Sequence, residues 1–463
     1  MSEEASITNP LGTEKIGKLM IRYAIPSIIS FVVNSLYNMV DQIFIGQGVG
    51  YLGNAATNVI MPLTTIMLAI GLLIGDGAAA FMSLNLGQGN REAAARSVGN
   101  IISLTIFAGI ISLIFFEVLL RPLSSLFGAT ESIMPYALDY GKIIVLGFPF
   151  FAVNISFASM IRADGRPNET MVGLLIGCVT NMILDPLFIF VFHWGVQGAA
   201  WATIIGQFLN TVYFVFCVFR FQTFKLKIKF LCPDIRISRK IITLGFSSFI
   251  TQIAAVFVIG VMNNLLVNYG GQSRYGSDIP LAAFGITMKV CQLAFGVALG
   301  IATSVQPLLG YNYGSGQFDR VKKTFRITMA VSIFIMCIAL AVFQIFPGNI
   351  IRLFGQESEL YMEFAVLSFR IFLLACFLQP VPSVAGIFFQ SIGRPFLSAA
   401  CSMSRQIVFM IPAMLFLGDC FGIEGILWAG PVADTFSTLV SCMLLGLFWE
   451  KTFRKGEVDY GTD

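Results

Sequence analysis

In the run NMILDPLFIF, residues 181–190, an amide and a carboxylate interrupt an otherwise apolar stretch. Asn181 and Asp185 are four residues apart, so on a helix they share one face, and Pro186 follows at once. A carboxylate inside a bilayer costs about 2.5 kcal/mol or more, so it is rarely kept without a partner or a purpose. His193 and Trp194 mark a short loop. Asp185 precedes it by eight residues and Thr203 follows it by nine. At about 1.5 Å per residue both lie on the order of 13 Å from the hairpin tip, so they share a depth. Asp41, just before the polar end of its own helix at Gly46–Gly48, falls in the same outer half. Two carboxylates, an amide and a hydroxyl form an oxygen-rich set suited to a proton or a hard cation such as Na+. Pro186 has no N–H, which frees the carbonyl of Met182 and bends the helix. The plainer reading is that Asn181 and Asp185 only bond neighbouring helices.

These residues need membrane helices to hold them. The chain has 463 residues, 56% hydrophobic and only 12% charged, with a mean hydropathy of +0.82. Soluble chains are nearer a quarter charged. Apolar blocks long enough to cross about 30 Å of hydrocarbon recur from end to end. They predict twelve helices, at about 19–45, 55–85, 97–119, 135–161, 168–192, 196–219, 240–268, 279–310, 322–346, 361–391, 396–418 and 424–449. The acidic start MSEEASITNP and the length of the first apolar run predict a retained helix rather than a cleaved signal. With both termini on one side, that side holds 22 of the 29 Lys and Arg, seven of them between Arg220 and Lys240. The positive-inside rule makes it the cytoplasm.

Catalytic chemistry has no footing. There is one histidine, His193, read as an interfacial residue, and the nine cysteines show no CxxC spacing and read as membrane-buried thiols. No Ser-His-Asp set, phosphate-binding Gly-Lys loop or metal-ligand cluster is present in the sequence, so hydrolysis and ATP drive are unsupported. The net charge of +4 is the loop bias, and no nucleic-acid partner is implied. No cofactor is expected beyond H+ or Na+ as a coupling ion. The expected partners are the lipid bilayer and the transported molecule, with the chain acting as a monomer.

The chain repeats itself. A shift of 227 residues carries Asn85-x-Gly87-x-Gly89 onto Asn312-x-Gly314-x-Gly316, Phe127-Gly128 onto Phe354-Gly355, and Gly195-x-x-Gly198-x-x-Trp201 onto Gly422-x-x-Gly425-x-x-Trp428. A shift of 228 carries Gly165-Arg166-Pro167 onto Gly393-Arg394-Pro395. Six helices per repeat is an even number, so the halves enter the membrane from the same side and relate by a pseudo-twofold along the membrane normal. Lobes at 1–219 and 241–463, joined by a cytoplasmic basic linker at 220–240, follow. Such a build leaves a cleft between lobes for alternating access.

AIPSIISFVVNSLYNMVDQIFIG, SLNLGQGN, QPLLGYNYGSG, RADGRP, QSIGRP and NMILDP, in this order, resemble the multidrug and toxic compound extrusion (MATE) family over essentially the whole chain. YNYG and the placement of Asp41, Asn181 and Asp185 are most similar to its DinF-like, MepA-type branch. The resemblance implies an all-α, twelve-helix MATE fold and export of organic cations in exchange for protons or sodium ions. It also implies a cation site in the first lobe matching Asp41, Asn181, Asp185 and Thr203. The second lobe does not repeat this set: Asp41 aligns with Met262 and Asp185 with Ala413. It carries Lys289, Arg370, Arg405 and Asp434 instead, read as ion pairs or as substrate contacts. Asp76, between glycines in GLLIGDGAAA, either lines the cavity or pairs with a basic neighbour. Glu117 and Arg121, four apart near a helix end, predict an interfacial pair. Pro26 and Pro186 are candidate kinks. The rival classes are a lipid-linked oligosaccharide flippase, which calls for a more basic cavity, and a membrane protein that transports nothing.

Overall fold

The computed structural model describes residues 10–221, 223, 233–353 and 358–450. Residues 222 and 224–232 of the basic linker, Phe354-Gly355 and the C-terminal Lys451, Arg454 and Lys455 lie outside the described residues. The described chain is helical throughout. In order come α1 (Pro10–Thr13), α2 (Ile16–Gly48), α3 (Tyr51–Gly87), α4 (Arg91–Leu126), α5 (Met134–Leu146), α6 (Phe148–Ala163), α7 (Pro167–Pro186) and α8 (Gly195–Val218). Then follow α9 (Ile235–Gly271), α10 (Asp278–Ser304), α11 (Gln306–Gly314), α12 (Phe318–Ile345), α13 (Pro347–Arg352), α14 (Glu359–Phe372), α15 (Pro380–Ser391), α16 (Pro395–Met403) and α17 (Ile411–Trp449).

Among the described residues nine helices are long and apolar enough to span a membrane, and two bent pairs bring the number to 11. The longest of the nine, Pro395–Trp449, is interrupted at Gly422, whose φ of 62° and ψ of −139° leave the helical region. Divided there, it yields the twelfth span. The chain is a multi-pass membrane protein.

Several spans differ from straight rods. The one expected at 135–161 is α5 and α6, bent by 52° at Gly147, and that at 361–391 is α14 and α15, bent by 41°. The one expected at 279–310 breaks at Val305 into α10 and α11, two residues before Pro307, which cannot donate to the preceding turn. Past Pro186, α7 loosens into a π-helical turn, Leu187–Val191. A second π-helical turn, Ser404–Met410, joins α16 to α17.

The repeat reappears in the backbone. Gly89 and Gly316 have φ of 79° and 73°, Gly165 and Gly393 of 91° and 83°, and Gly195 and Gly422 of 56° and 62°. Arg166 and Arg394, which follow the middle pair, match at φ −119°, ψ 60° and φ −114°, ψ 68°. Equivalent motifs make equivalent turns.

Two compact units emerge. The first comprises the residues through Gln252 with Gln306–Val321 and Ser391–Gly393; the second comprises Ile253–Val305, Lys322–Gln390 and the residues from Arg394 onward. In the first, one apolar core joins α3, α4, α6 and α8 around Met82, Val98, Met160 and Phe214, with Ile241 of α9 packed into it. Backbones approach closely there. A Cβ on Gly77 would lie 2.0 Å from the Ile241 carbonyl oxygen, and one on Gly245 would lie 1.7 Å from that of Leu73. Small residues suit membrane helix packing because lipid tails supply little hydrophobic drive between helices. In the second unit the core runs from α9 and α10 to α14 and α17 and contains Met262, with Ala413 packed against it.

Candidate functional site

The site is set by a close crossing of α7 and α8. A Cβ on Gly206 would lie 2.6 Å from the Gly177 carbonyl oxygen, so only glycines allow this approach. Asn181 is one turn beyond Gly177 and Thr203 nearly one turn before Gly206, so the crossing brings the two together. Asn181 Nδ2 donates to Thr203 Oγ1 at 3.1 Å and to Asp185 Oδ1 at 3.2 Å. The turn after Asp185 is held from two sides. Gly48 abuts Ile189, and Gly198 abuts the backbone of Phe188. Above it, Ile45, Ile189, Val196 and Ala199 form a small apolar cluster with Tyr136 and Tyr140 packed against it.

From α2, Asp41 brings the second carboxyl within hydrogen-bonding range of Asp185. Asp41, Asn181 and Asp185 are 9%, 2% and 0% exposed. All four residues expected at a cation site therefore converge in the first unit. Two further groups belong with them. Tyr37 comes close to Thr203, and both Tyr37 and Tyr140 lie close enough to feel Asp41 and Asp185. Tyr37 had a signal in the sequence, four residues before Asp41 on the same helix face. Tyr140 arrives from α5 and had none.

Three buried oxygens in this cluster accept no hydrogen bond from the described residues: Asp41 Oδ1, Asn181 Oδ1 and Asp185 Oδ2. Magnitudes decide what that means. Each membrane-buried aspartate costs about 2.5–3.5 kcal/mol, and an interhelical hydrogen bond in a membrane returns about 0.6 kcal/mol, rarely above 1.7. The amide and hydroxyls fall short of offsetting two carboxylates. The free oxygens are the groups that could take up a proton or a small cation.

The other acids are arranged differently. Asp76 of α3 makes no direct ion pair among the described residues: Oδ1 accepts from Ser159 Oγ and Oδ2 from Ser248 Oγ, both at 2.8 Å. Arg162 stands one step behind, donating to Ser159 Oγ at 3.0 Å. In the second unit, Arg405 Nε donates to Asp434 Oδ1 at 2.7 Å. Gln379 Nε2 donates to the other oxygen at 3.2 Å while its own carbonyl faces the Cys291 thiol. Asp434 is thus neutralised by a tethered guanidinium. Lys289 and Arg370 are exposed and form no ion pair among the described residues. The pair expected between Glu117 and Arg121 does not form there either: both are exposed on α4 and their side chains stay apart. Pro26 is buried in α2, where the Ser30 hydroxyl donates to its carbonyl at 2.8 Å.

A two-part match to the family model described as MatE covers residues 26–187 and 242–415, one segment in each half. The chain belongs to the MatE family. Among MatE-type relatives it is 24% identical over 443 residues to the multidrug export protein MepA of Staphylococcus haemolyticus (strain JCSC1435), covering 94% of this chain and 93% of that protein. MepA of Staphylococcus aureus (strain MSSA476) is also 24% identical, over 441 residues and 94% of each chain. Solved MATE structures share the fold. An outward-facing multidrug resistance transporter of the MOP superfamily superposes with a TM-score of 0.88 at 21% identity, over 96% of this chain and 98% of that one. A MATE in a straight conformation gives 0.87 at 20%, over 95% and 98%.

Proposed function

We propose that this MatE-family chain is a cation-coupled secondary antiporter that exports amphiphilic organic cations by alternating access. The observation that carries the reading is the convergence of Asp41, Asn181, Asp185 and Thr203 with three unsatisfied buried oxygens. The coupling ion, H+ or Na+, binds there. Its absence from the second lobe, where Met262 is buried in an apolar core with Ala413 packed against it, confines coupling to the first.

Antiport requires that the ion bind two states of the protein unequally, since an ion with equal affinity for both shifts nothing. A coupling of about 1–3 kcal/mol, or roughly 5–150-fold in affinity, is ordinary for two linked sites. The element that changes is the part of the first lobe that holds Pro26, which removes one ladder donor from the continuous helix α2, and the π-helical turn after Pro186. Ion binding between Asp41 and Asp185 ties these helices together, and the substrate binds the state in which they are not tied. The substrate class is supported by the relatives' naming as multidrug exporters. The bacterial relatives and the loop charge bias support a prokaryotic plasma membrane with both termini cytoplasmic. The lobes are those of the repeat, 1–219 and 241–463, and one copy of the chain is the working unit.

The test is efflux of a fluorescent organic cation from proteoliposomes under separately imposed pH and sodium gradients. At least one gradient drives efflux under this reading; indifference to both rejects it.

A further inference from the structure

Within the second unit, the start of α12 and the end of α17 flank an open surface groove of about 250 Å³ lined by Phe325, Arg326, Leu445, Gly446 and Trp449. Its chemistry is two-sided. Arg326 is exposed, as is Lys323 one turn before it, and Arg326 forms no ion pair among the described residues. The Trp449 ring packs on Phe325 and Phe388 at centroid distances of 5.5 and 5.6 Å, giving the groove an aromatic wall. Glu450, next along the chain, has an interaction of its own.

The depth is that of a membrane interface. Basic residues crowd the first turns of α12 before its strongly apolar body, whose mean hydropathy is 2.4, and a tryptophan closes the apolar run of α17. Lys, Arg and Trp concentrate at this level. From Gly446 an exposed apolar stripe descends α17 through Met443, Leu439 and Phe436, at 59%, 59% and 49% exposure. The spacing of three, four and three residues keeps them on one face. A Cβ on Gly446 would meet no atom within 4 Å, so the opening is not closed from behind.

The first repeat lacks the arrangement. Under the 227-residue shift Arg326 becomes Gly99 and Gly446 becomes Phe219. Lys323 keeps a basic counterpart in Arg96, but the position of Arg326 carries no charge and a ring stands where the groove would open. Ordinary lipid contact would serve both repeats alike.

We propose that this groove is a binding site for one anionic phospholipid. Arg326 and Lys323 meet the phosphate, Trp449 sits at the glycerol level and one acyl chain follows Met443, Leu439 and Phe436. Basic pockets between membrane helices suit anionic headgroups. Each basic residue near the headgroups contributes about fivefold in affinity.

The full-length protein in neutral detergent, offered dioleoylphosphatidylglycerol or dioleoylphosphatidylcholine, reports retained lipid by native mass spectrometry. The wild type is expected to retain one phosphatidylglycerol in preference to phosphatidylcholine. Arg326→Gln lowers that preference about fivefold, whereas Arg236→Gln, outside the groove, leaves it unchanged. Gly446→Phe, which installs the first repeat's residue, removes the retained lipid without changing the melting temperature in detergent. The proposal is overturned by equal retention of both lipids, by an unaltered preference in Arg326→Gln, or by displacement of the lipid with inorganic phosphate.

Discussion

Asn181 Nδ2 lies 3.1 Å from Thr203 Oγ1, so a single amide joins α7 to α8 one turn from the Asp185 carboxylate. The same nitrogen also donates to Asp185. One donor group thus serves both the helix pair and the carboxylate, which makes the site's shape depend on the α7–α8 crossing. Replacing Thr203 with valine removes the hydroxyl while keeping the shape. Because such a bond is worth about 0.6 kcal/mol and rarely more than 1.7, the ion concentration for half-maximal efflux rises by roughly threefold, and less than about twentyfold. A titration of efflux against the driving ion checks this.

The crossing itself is tested at Gly206. A side chain there meets the Gly177 carbonyl oxygen, so Gly206→Val forces α7 and α8 apart. Overpacking of this kind costs about 1–3 kcal/mol. The expected result is a lowered melting temperature together with loss of gradient-driven efflux, because Asn181 no longer reaches Thr203. Gly260→Val, on α9 with no atom near its Cβ position, serves as the control and changes neither.

In the second lobe, Arg405 and Asp434 form a buried pair in which Asp434 is also bonded by Gln379. Removing one partner of a buried pair costs about 3–5 kcal/mol, whereas replacing both with apolar groups is often neutral. Arg405→Met therefore lowers thermal stability strongly, and adding Asp434→Leu restores most of it. Ion dependence of efflux stays with the first lobe in both variants that fold.

Asp76 accepts from two serines on two different helices. Asp76→Asn keeps one acceptor oxygen, while Asp76→Leu removes both and takes the acceptor from the buried Ser159 hydroxyl, at about 1–3 kcal/mol. Thermal denaturation is expected to rank the variants wild type, Asn, Leu. Equal stability of all three would show that these hydroxyls find partners elsewhere.

Much of this was legible before any coordinates. Length and hydropathy mark twelve spans, and the glycine motifs that register the two halves fold into turns of matching φ. Asn181 and Asp185 are readable because four-residue spacing on a helix is a local rule, and Thr203 because a short hairpin equates depth with distance from its tip. The bend at Gly147 was hidden: hydropathy counts apolar length and not direction, and Gly147 and Pro149 sit inside a continuous apolar run. The Arg405–Asp434 pair was left open for a related reason. Its members are 29 residues apart, Arg405 within a π-helical turn and Asp434 beyond a kink at Gly422. The rotation of one helix against the other is set by that irregular geometry. Tyr140 was out of reach because it enters the site through packing of α5, with no spacing rule to place it.

The account stands on Asp185 as a group that carries the coupling ion rather than one that holds helices together. Wild-type and Asp185→Asn proteoliposomes, loaded with a fluorescent organic cation, separate the two roles when efflux under an imposed ion gradient is compared with substrate exchange at zero gradient. Asparagine keeps the size of the side chain and an oxygen that can accept from Asn181, so the crossing of α7 and α8 survives. The predicted result is loss of the gradient-driven component with exchange retained. Gradient-driven efflux at the wild-type rate in Asp185→Asn would contradict the account.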